Sequence, residues 1–182
     1  MCTLNKNIVL IGMPGSGKTT LGQMLSKALK VDSIDIDLYI ETLTGKTIPE
    51  LFEQGEEYFR KLESDAVKEL SEEKEKVIST GGGVIKNPNN ITALKKNGTI
   101  IFLDRPVENI IKDLKISNRP LLKQGIHKIY EIFDERYEFY KNCCDFQIFN
   151  NRSIDYAMNE IIKVSDISVS NCTFKSQHLF IL

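Results

Sequence analysis

The 182-residue sequence lacks several residues and patterns that mark large classes of proteins. It has no tryptophan, only two histidines, and four cysteines, none of which forms a C-x-x-C pair. These absences argue against a cysteine-based metal centre and favour free thiols in a reducing compartment. The two histidines, His127 and His178, are isolated in the sequence. Neither has nearby residues that would support a role as a metal ligand or as a general base.

The sequence also lacks an excess of charge and a long apolar run. It has 24 basic and 25 acidic residues, so no overall field would attract nucleic acid or an anionic membrane. No apolar stretch approaches about 20 residues and no signal-peptide core is present, which predicts no membrane partner and a cytoplasmic location. The length and the 41% of apolar residues fit one globular domain, expected over residues 1–165.

The most informative stretch that is present is a phosphate-binding loop motif. Residues 12–19 read Gly-Met-Pro-Gly-Ser-Gly-Lys-Thr, which fits G-x-x-x-x-G-K-[ST]. A short apolar run precedes them and a helical pattern follows, as this P-loop requires. Backbone N–H groups and Lys18 would bind phosphate, and the Thr19 hydroxyl would bind Mg²⁺. A nucleoside triphosphate site is therefore expected, the alternative being a glycine-rich turn before a core helix.

Two carboxylates end the second predicted strand, Ser33–Asp37. Asp35 and Asp37 are two residues apart, so they would point to the same side of an extended backbone. At the carboxyl end of a sheet strand, one could hold a magnesium-bound water and the other could accept the proton of a substrate hydroxyl. A solvated pair is the alternative. Asp104, at the end of the fourth predicted strand, competes with Asp35 for the metal.

Three further features precede the last predicted strand. Glycines 81–83 follow the third predicted strand, where they would let a ligand approach backbone N–H groups or simply form a flexible turn. Arg60 and Glu63 are three apart on a predicted helix and can pair, as often happens on a surface. The aperiodic stretch 115–125 suits either a lid that brings Arg119 onto the triphosphate or a connecting loop.

Strands alternate with helices along the chain, which predicts an α/β sandwich around a parallel sheet. The predicted fifth strand is Asp145–Phe149, and an amphipathic helix is predicted over Ile154–Val164. Residues 166–182 show no helical period and form a C-terminal extension of unknown role, either docked or loose.

Taken together, these motifs resemble the shikimate kinase family, in the nucleoside-monophosphate-kinase-like branch of P-loop proteins. The ordered match runs from about Asn5 to Ile162. After the P-loop it comprises Ile34-Asp35-Ile36-Asp37, Phe59-Arg60-Lys61-Leu62-Glu63, Gly81-Gly82-Gly83, Arg119-Pro120-Leu121-Leu122, and Arg136 with Tyr140. The sequences F-R-x-x-E, G-G-G and R-P-L-L in this order distinguish the family from other small P-loop kinases.

The resemblance implies a three-layer P-loop kinase fold with a five-stranded parallel sheet of order 2-3-1-4-5. It implies a substrate-binding segment at about 38–63, a mobile lid at about 115–125, and Mg²⁺ near Thr19 and Asp35 rather than Asp104. The residues that it places in catalysis are Lys18, Asp37 and Arg119. Those that it places on the nucleotide are Gly15, Ser16, Gly17, Lys18, Thr19, Thr20 and Arg119. Those that it places on shikimate are Asp37, Arg60, Gly81, Gly82, Gly83 and Arg136, with Phe52 and Phe59 lining the pocket.

The activity that the resemblance implies is transfer of the γ-phosphate of ATP to the 3-hydroxyl of shikimate, giving shikimate 3-phosphate and ADP in aromatic amino-acid biosynthesis. The residues agree with it, because a carboxylate needs bidentate cations and hydroxyls need acceptors. Another small-molecule or nucleoside monophosphate kinase and a non-catalytic nucleotide switch are the alternatives. The chain departs from the family at Gln23, where the family often has arginine after the glycine, and at Lys112, which replaces an arginine at the basic position that helps cover the adenine. Arg152 could pack on the purine in place of that arginine. We expect a monomer with ATP and shikimate as its small-molecule partners.

Overall fold

A computed structural model describes residues 2–117, 126–165 and 167–169 of the chain. In chain order, the elements are β1 (Cys2–Leu4), β2 (Asn7–Ile11), α1 (Lys18–Leu29), β3 (Asp32–Asp35), α2 (Ile36–Thr44), α3 (Ile48–Glu53), α4 (Glu56–Leu70), β4 (Lys76–Ser79), a 3₁₀ turn (Val84–Lys86), α5 (Pro88–Asn97), β5 (Gly98–Asp104), α6 (Val107–Ser117), α7 (Ile126–Cys143), β6 (Phe146–Phe149), α8 (Ile154–Val164) and β7 (Ile167–Val169).

Five of the strands form one parallel sheet. Its order is β3-β4-β2-β5-β6, which is 2-3-1-4-5 when only these five strands are counted. The predicted order is thereby confirmed. Strand β2 lies in the centre, where Val9 pairs with Ile78 on one side and with Ile100 on the other. Its residues are all buried, as expected for an apolar run that is covered on both faces.

Helices cover both faces of the sheet and give it two hydrophobic cores. Val9 and Ile11 of β2 point into a core shared with α2 to α7, whereas Ile8 and Leu10 point into a core shared with α1 and α8. This division follows from the two-residue period of a strand. The predicted three-layer architecture is therefore confirmed, and the carboxyl ends of β2, β3, β4 and β5 meet at one edge of the sheet.

The transition from β3 to α2 differs from the prediction. Strand β3 ends at Asp35, and Asp37 lies in the first turn of α2, so the expectation of one extended strand through Asp37 is wrong. The cause is local, because the Asp35 side chain accepts hydrogen bonds from the N–H groups of Asp37 and Leu38 and so caps the helix. Aspartate is among the strongest capping residues, and it turns the backbone here.

The structure adds detail to two other predicted segments, the lid at 115–125 and the C-terminal extension that begins at residue 166. Helix α6 continues through Ser117, so the first residues of the predicted lid are helical. The rest of that segment, with Arg119, lies outside the described residues. Beyond Ser165, β7 pairs with β1 in an antiparallel arrangement that sets Leu4 opposite Ile167. None of the helices in the described parts of the chain is both long and apolar enough to cross a bilayer.

Candidate active site

The P-loop links β2 to α1 at the central carboxyl end of the sheet. Gly15 and Gly17 have φ angles of 81° and 97°, which favour glycine because a side chain would strain the backbone. Gly17 directly precedes α1 and has no side chain to cap the helix. The first N–H groups of α1 therefore face the cleft, where an anion can accept from them.

Lys18 is 7% exposed and its amine is held by the loop itself. Its Nζ donates to the carbonyl oxygens of Gly12 and Met13, both at 2.8 Å. Burial lowers the pKa of Lys18 to about 8, although the carboxylates of Asp37 and Asp35 oppose this shift. A buried amine whose partners are neutral carbonyls is well prepared to bind an anion.

Thr19 and Asp35 bring two oxygens together beside the P-loop. The Thr19 hydroxyl donates to Asp35 Oδ2 at 2.6 Å, while Asp35 Oδ1 caps α2. Hydroxyl and carboxylate oxygens are ligands that Mg²⁺ accepts, so these residues fit the implied metal. No group of three or more His, Cys, Asp or Glu side chains in the described residues could hold a metal. Water and phosphate oxygens would therefore have to complete the coordination.

The competing carboxylate, Asp104, is engaged elsewhere. Its Oδ2 accepts from the Tyr137 hydroxyl at 3.0 Å and from Gln147 Nε2 at 2.8 Å. These bonds tie β5 to α7 and β6. It is Asp35, and not Asp104, that makes the hydrogen bond with Thr19.

Asp37 lies beside the glycine turn that follows β4. Burial raises the pKa of Asp37 to about 6, with further contributions from the negative charges of Asp35 and Glu63. Its Oδ1 atom is buried and has no hydrogen-bond partner among the described residues. A Cβ atom built on Gly81 would lie 2.6 Å from this oxygen and 3.0 Å from Glu63 Oε1, which is also buried and likewise has no partner in the part of the chain that the structure describes. Two unsatisfied carboxylate oxygens therefore meet at Gly81.

Arg60 on α4 is held from several sides. Its Nη1 donates to Glu63 Oε2 at 2.7 Å, and Glu63 is only 1% exposed. The carboxylate of the pair is therefore buried and the guanidinium is partly buried, unlike the surface pair that this spacing ordinarily produces. The guanidinium also lies 5.7 Å and 5.1 Å from the ring centroids of Phe52 and Phe59, whose rings are 4.5 Å apart. These contacts fix the direction of the guanidinium.

Arg136 on α7 contacts the same turn. Its Nη1 donates to the carbonyl oxygen of Gly82 at 3.1 Å, and the Tyr140 hydroxyl donates to the same oxygen. Arg60 lies against the same turn, because a Cβ atom built on Gly83 would overlap its guanidinium, so the two guanidinium groups converge on the turn. Burial raises the pKa of Glu63, although the positive charges of Arg60 and Arg136 lower it. The predicted pair of arginines therefore lies at one site.

Each of the three glycines faces a different part of that site. A Cβ atom on Gly82 would lie 2.7 Å from the ring atoms Cγ and Cδ of Pro14 in the P-loop. On Gly83 it would overlap the guanidinium of Arg60, and on Gly81 it would crowd Asp37. A side chain at any of these positions would displace a site residue or the P-loop, so the turn is more than a flexible connection.

A second cleft begins at the P-loop and includes residues that sequence reasoning missed. It is lined by Gly15, Gly17, Lys18, Thr19, Thr20, Arg105, Asp113, Asn150, Arg152 and Ile154. Asn150 Nδ2 donates to the carbonyl oxygen of Ser16 at 2.9 Å and so supports the loop. Arg105 and Asn150 directly follow β5 and β6. The rule that ligands gather at the carboxyl ends of strands could have identified both.

Of the three other residues that the sequence analysis considered for the nucleotide, one lines the second cleft, one is exposed and one lies outside the described residues. Arg152 lines the second cleft, with its guanidinium 4.7 Å from the Tyr156 ring centroid. Lys112 is exposed on α6, and it is the next residue, Asp113, that lines the cleft. Arg119 lies outside the described residues, so its position beside the phosphates stays a prediction.

Comparisons with known proteins agree with this geometry. The family model for shikimate kinase matches residues 14–166. A shikimate kinase of Clostridium beijerinckii is 52% identical over 161 residues, covering 88% of this chain and 95% of that protein. One from Clostridium botulinum strain Alaska E43 is 50% identical, covering 88% of this chain and 98% of that protein.

Solved structures give the same result. The shikimate kinase from Acinetobacter baumannii in complex with shikimate superposes with a TM-score of 0.78 at 35% identity, covering 87% of this chain and 90% of that one. A gluconokinase from Sinorhizobium meliloti has a TM-score of 0.59 at 13% identity over 90% of this chain and 95% of that one, which shows a shared fold alone.

Proposed function

The chain belongs to the shikimate kinase family, and we propose that it transfers the γ-phosphate of ATP to the 3-hydroxyl of shikimate, giving shikimate 3-phosphate and ADP. It is an ATP-dependent kinase of aromatic amino-acid biosynthesis. The observation that supports the acceptor most directly is the convergence of Arg60 and Arg136 on a glycine turn that also touches the P-loop at Pro14.

In this proposal, the two guanidinium groups bind the shikimate carboxylate. Planar guanidinium groups suit a carboxylate because they can donate two parallel hydrogen bonds. Arg60 is already oriented by Glu63 and by the rings of Phe52 and Phe59, so little side-chain entropy is lost on binding. The backbone of Gly81, Gly82 and Gly83 would lie against the ring of the acid.

Asp37 is proposed to orient the attacking hydroxyl. Its buried Oδ1 atom has no partner in the described residues, and a substrate hydroxyl would supply the missing donor. Phosphoryl transfer depends mainly on positioning and on neutralising charge, so an orienting role is sufficient. Lys18 would exchange the carbonyl oxygens of Gly12 and Met13 for phosphate oxygens, which bind an ammonium more strongly.

The residues expected to hold Mg²⁺ are Thr19, through its hydroxyl, and Asp35, through a bound water. When bound, the ion would supply positive charge against the phosphates of ATP. The nucleotide would lie along the second cleft, with Arg152 beside the purine. The role of Arg119, the monomeric state and the cytoplasmic location are proposed on the sequence alone.

Neither alternative activity is favoured by a specific observation. A gluconate kinase shares the fold, but its similarity to this chain carries no more than that. A non-catalytic nucleotide switch would have no use for two converging guanidinium groups beside an unpaired carboxylate oxygen.

A coupled ADP-release assay with ATP and magnesium tests the proposal. ADP release should depend on shikimate, whereas quinate and gluconate serve as matched hydroxy-acid controls and should give at most a few per cent of that rate. Release with gluconate alone, or release that no hydroxy acid stimulates, would overturn the proposal.

A further inference from the structure

Arg105 lies in the nucleotide cleft, although no motif of the sequence assigns it a role there. It directly follows β5, and its side chain is 22% exposed. A Cβ atom built on Gly17 would lie 3.9 Å from Arg105 Nη1 and 3.3 Å from Asn150 Nδ2. The guanidinium therefore reaches the end of the P-loop at which α1 begins, and Asn150 is close to the same point.

The guanidinium of Arg105 has hydrogen-bonding capacity that the described residues do not use. Its Nη2 donates to Asp113 Oδ2 at 2.6 Å. Its Nε atom, in contrast, is buried and has no acceptor in the described parts of the chain. Buried donors in native proteins are nearly always paired, so this one points to an acceptor that arrives with a ligand.

The chemistry of the cleft identifies that acceptor. The N–H groups of the P-loop and of the first turn of α1 bind phosphate, and Arg105 lies within reach of oxygens placed there. A guanidinium that is always charged and carries five donors suits the α- and β-phosphates of a nucleotide. Asp113 on α6 holds it in the cleft instead of letting it extend into solvent.

We propose that Arg105 is a nucleotide-binding residue and that Asp113 is its positioning residue. The proposal rests on the proposed function in taking ATP as the occupant of the cleft. In it, Arg105 donates to phosphate oxygens of the bound nucleotide. Asp113 makes no contact with the nucleotide and acts only by orienting Arg105.

The test measures ADP binding to the full chain by isothermal titration calorimetry. Arg105→Ala should weaken ADP binding about tenfold and should leave the KM for shikimate within about twofold of wild type. Arg105→Lys keeps the positive charge but lacks the planar guanidinium group, so its ADP affinity should lie between those of wild type and Arg105→Ala. Lys96→Ala is the matched control, because it removes one exposed positive charge at the C-terminal end of α5 and should change neither value.

A double-mutant cycle tests Asp113. Asp113→Ala should weaken ADP binding about threefold in the wild-type background and should have no effect in the Arg105→Ala background. An equal effect in both backgrounds would remove Asp113 as the positioning residue. Unchanged ADP affinity in Arg105→Ala, with thermal unfolding like that of wild type, would overturn the role of Arg105. Failure of the wild type to phosphorylate shikimate would overturn the proposed function instead and leave the ADP result standing.

Discussion

The two parts of the proposed active site, which we call the phosphate side and the acid side after the ligands proposed for them, are built in opposite ways. The phosphate side is one continuous stretch, residues 12–19, and it presents backbone N–H groups and a single amine. The acid side combines side chains from α4 and α7 with the turn after β4, and these elements are far apart in the sequence. The first therefore depends on local backbone conformation, and the second depends on correct packing of the whole sheet.

The two sides also treat charge differently. Among the described residues, the hydrogen-bond acceptors of the Lys18 amine are neutral carbonyl oxygens, and burial lowers its pKa to about 8. Arg60, in contrast, pairs with Glu63 and Glu56. The cation of the phosphate side is therefore hydrogen-bonded to neutral groups, whereas Arg60 of the acid side is paired with carboxylates. Substitutions on the two sides should consequently separate nucleotide binding from acid binding.

The largest effect is expected on the phosphate side. Lys18→Ala should lower kcat/KM for ATP about a thousandfold, because it removes the cation that approaches the transferred phosphate. Steady-state kinetics measures the loss. Lys27→Ala, on an exposed position of the same helix, is the control and should behave like wild type. A Lys18→Ala variant within about tenfold of wild type would show that the phosphate side does not depend on this amine.

Substitution of Asp37, which lies between the two sides, should lower activity and raise the stability of the protein. Asp37→Asn should lower kcat about a hundredfold, since an amide orients the hydroxyl poorly. It should also stabilise the unliganded protein at pH 7 by roughly 1–3 kcal/mol in urea unfolding. The sign follows because the native pKa of about 6 exceeds the unfolded value of 3.8, so ionisation costs the native state free energy at pH 7.

Asp32→Asn is the matched control for the opposite changes in activity and stability that are expected of Asp37→Asn. Its pKa is lowered by the hydrogen bond from Lys76, so Asp32→Asn should destabilise slightly and leave turnover unchanged. Wild-type turnover in a folded Asp37→Asn variant would remove Asp37 from the mechanism.

The acid side should show smaller and more selective losses. Arg60→Ala and Arg136→Ala should each raise the KM for shikimate about tenfold to a hundredfold, which is the value of one charge-assisted bond. ADP affinity should stay within about twofold, because neither arginine lines the second cleft, in which we propose that the nucleotide binds. Lys61→Ala and Lys141→Ala, on the same helices, are the charge-matched controls. A parallel loss of ADP binding would break the distinction between the two sides.

The smallest effects should come from pH. Below about pH 6, kcat/KM for shikimate should fall up to tenfold per unit, since Asp37 becomes protonated and loses the negative charge that makes it a strong acceptor for the hydroxyl. Above about pH 8, kcat/KM for ATP should fall, since Lys18 loses its charge. The acidic limb should be absent from Asp37→Asn. Its persistence there would assign it to another group.

Sequence reasoning predicted best what depends on local pattern. The P-loop and the five strands follow from a motif and from apolar runs, the sheet order was implied by the family resemblance, and the structure confirms the sheet. It was wrong at Asp37, because the capping strength of Asp35 outweighs the strand pattern that precedes it. It missed Arg105 and Asn150, since no short motif contains them and only the assembled sheet brings them to the P-loop. The burial of Glu63 likewise required the packing of α4 against the glycine turn.

The pairing of β1 with β7 has a practical consequence for shortened forms of the protein. A chain cut after Ser165 would keep every described residue of the site, and the matched family range ends only one residue later. It would nevertheless leave the backbone donors and acceptors of Cys2–Leu4 without their strand partner. Exposed edges of this kind recruit the same edge of another molecule. Purification of such a truncated enzyme should therefore yield dimers paired through their β1 edges or precipitate, and cloning boundaries should extend through Val169.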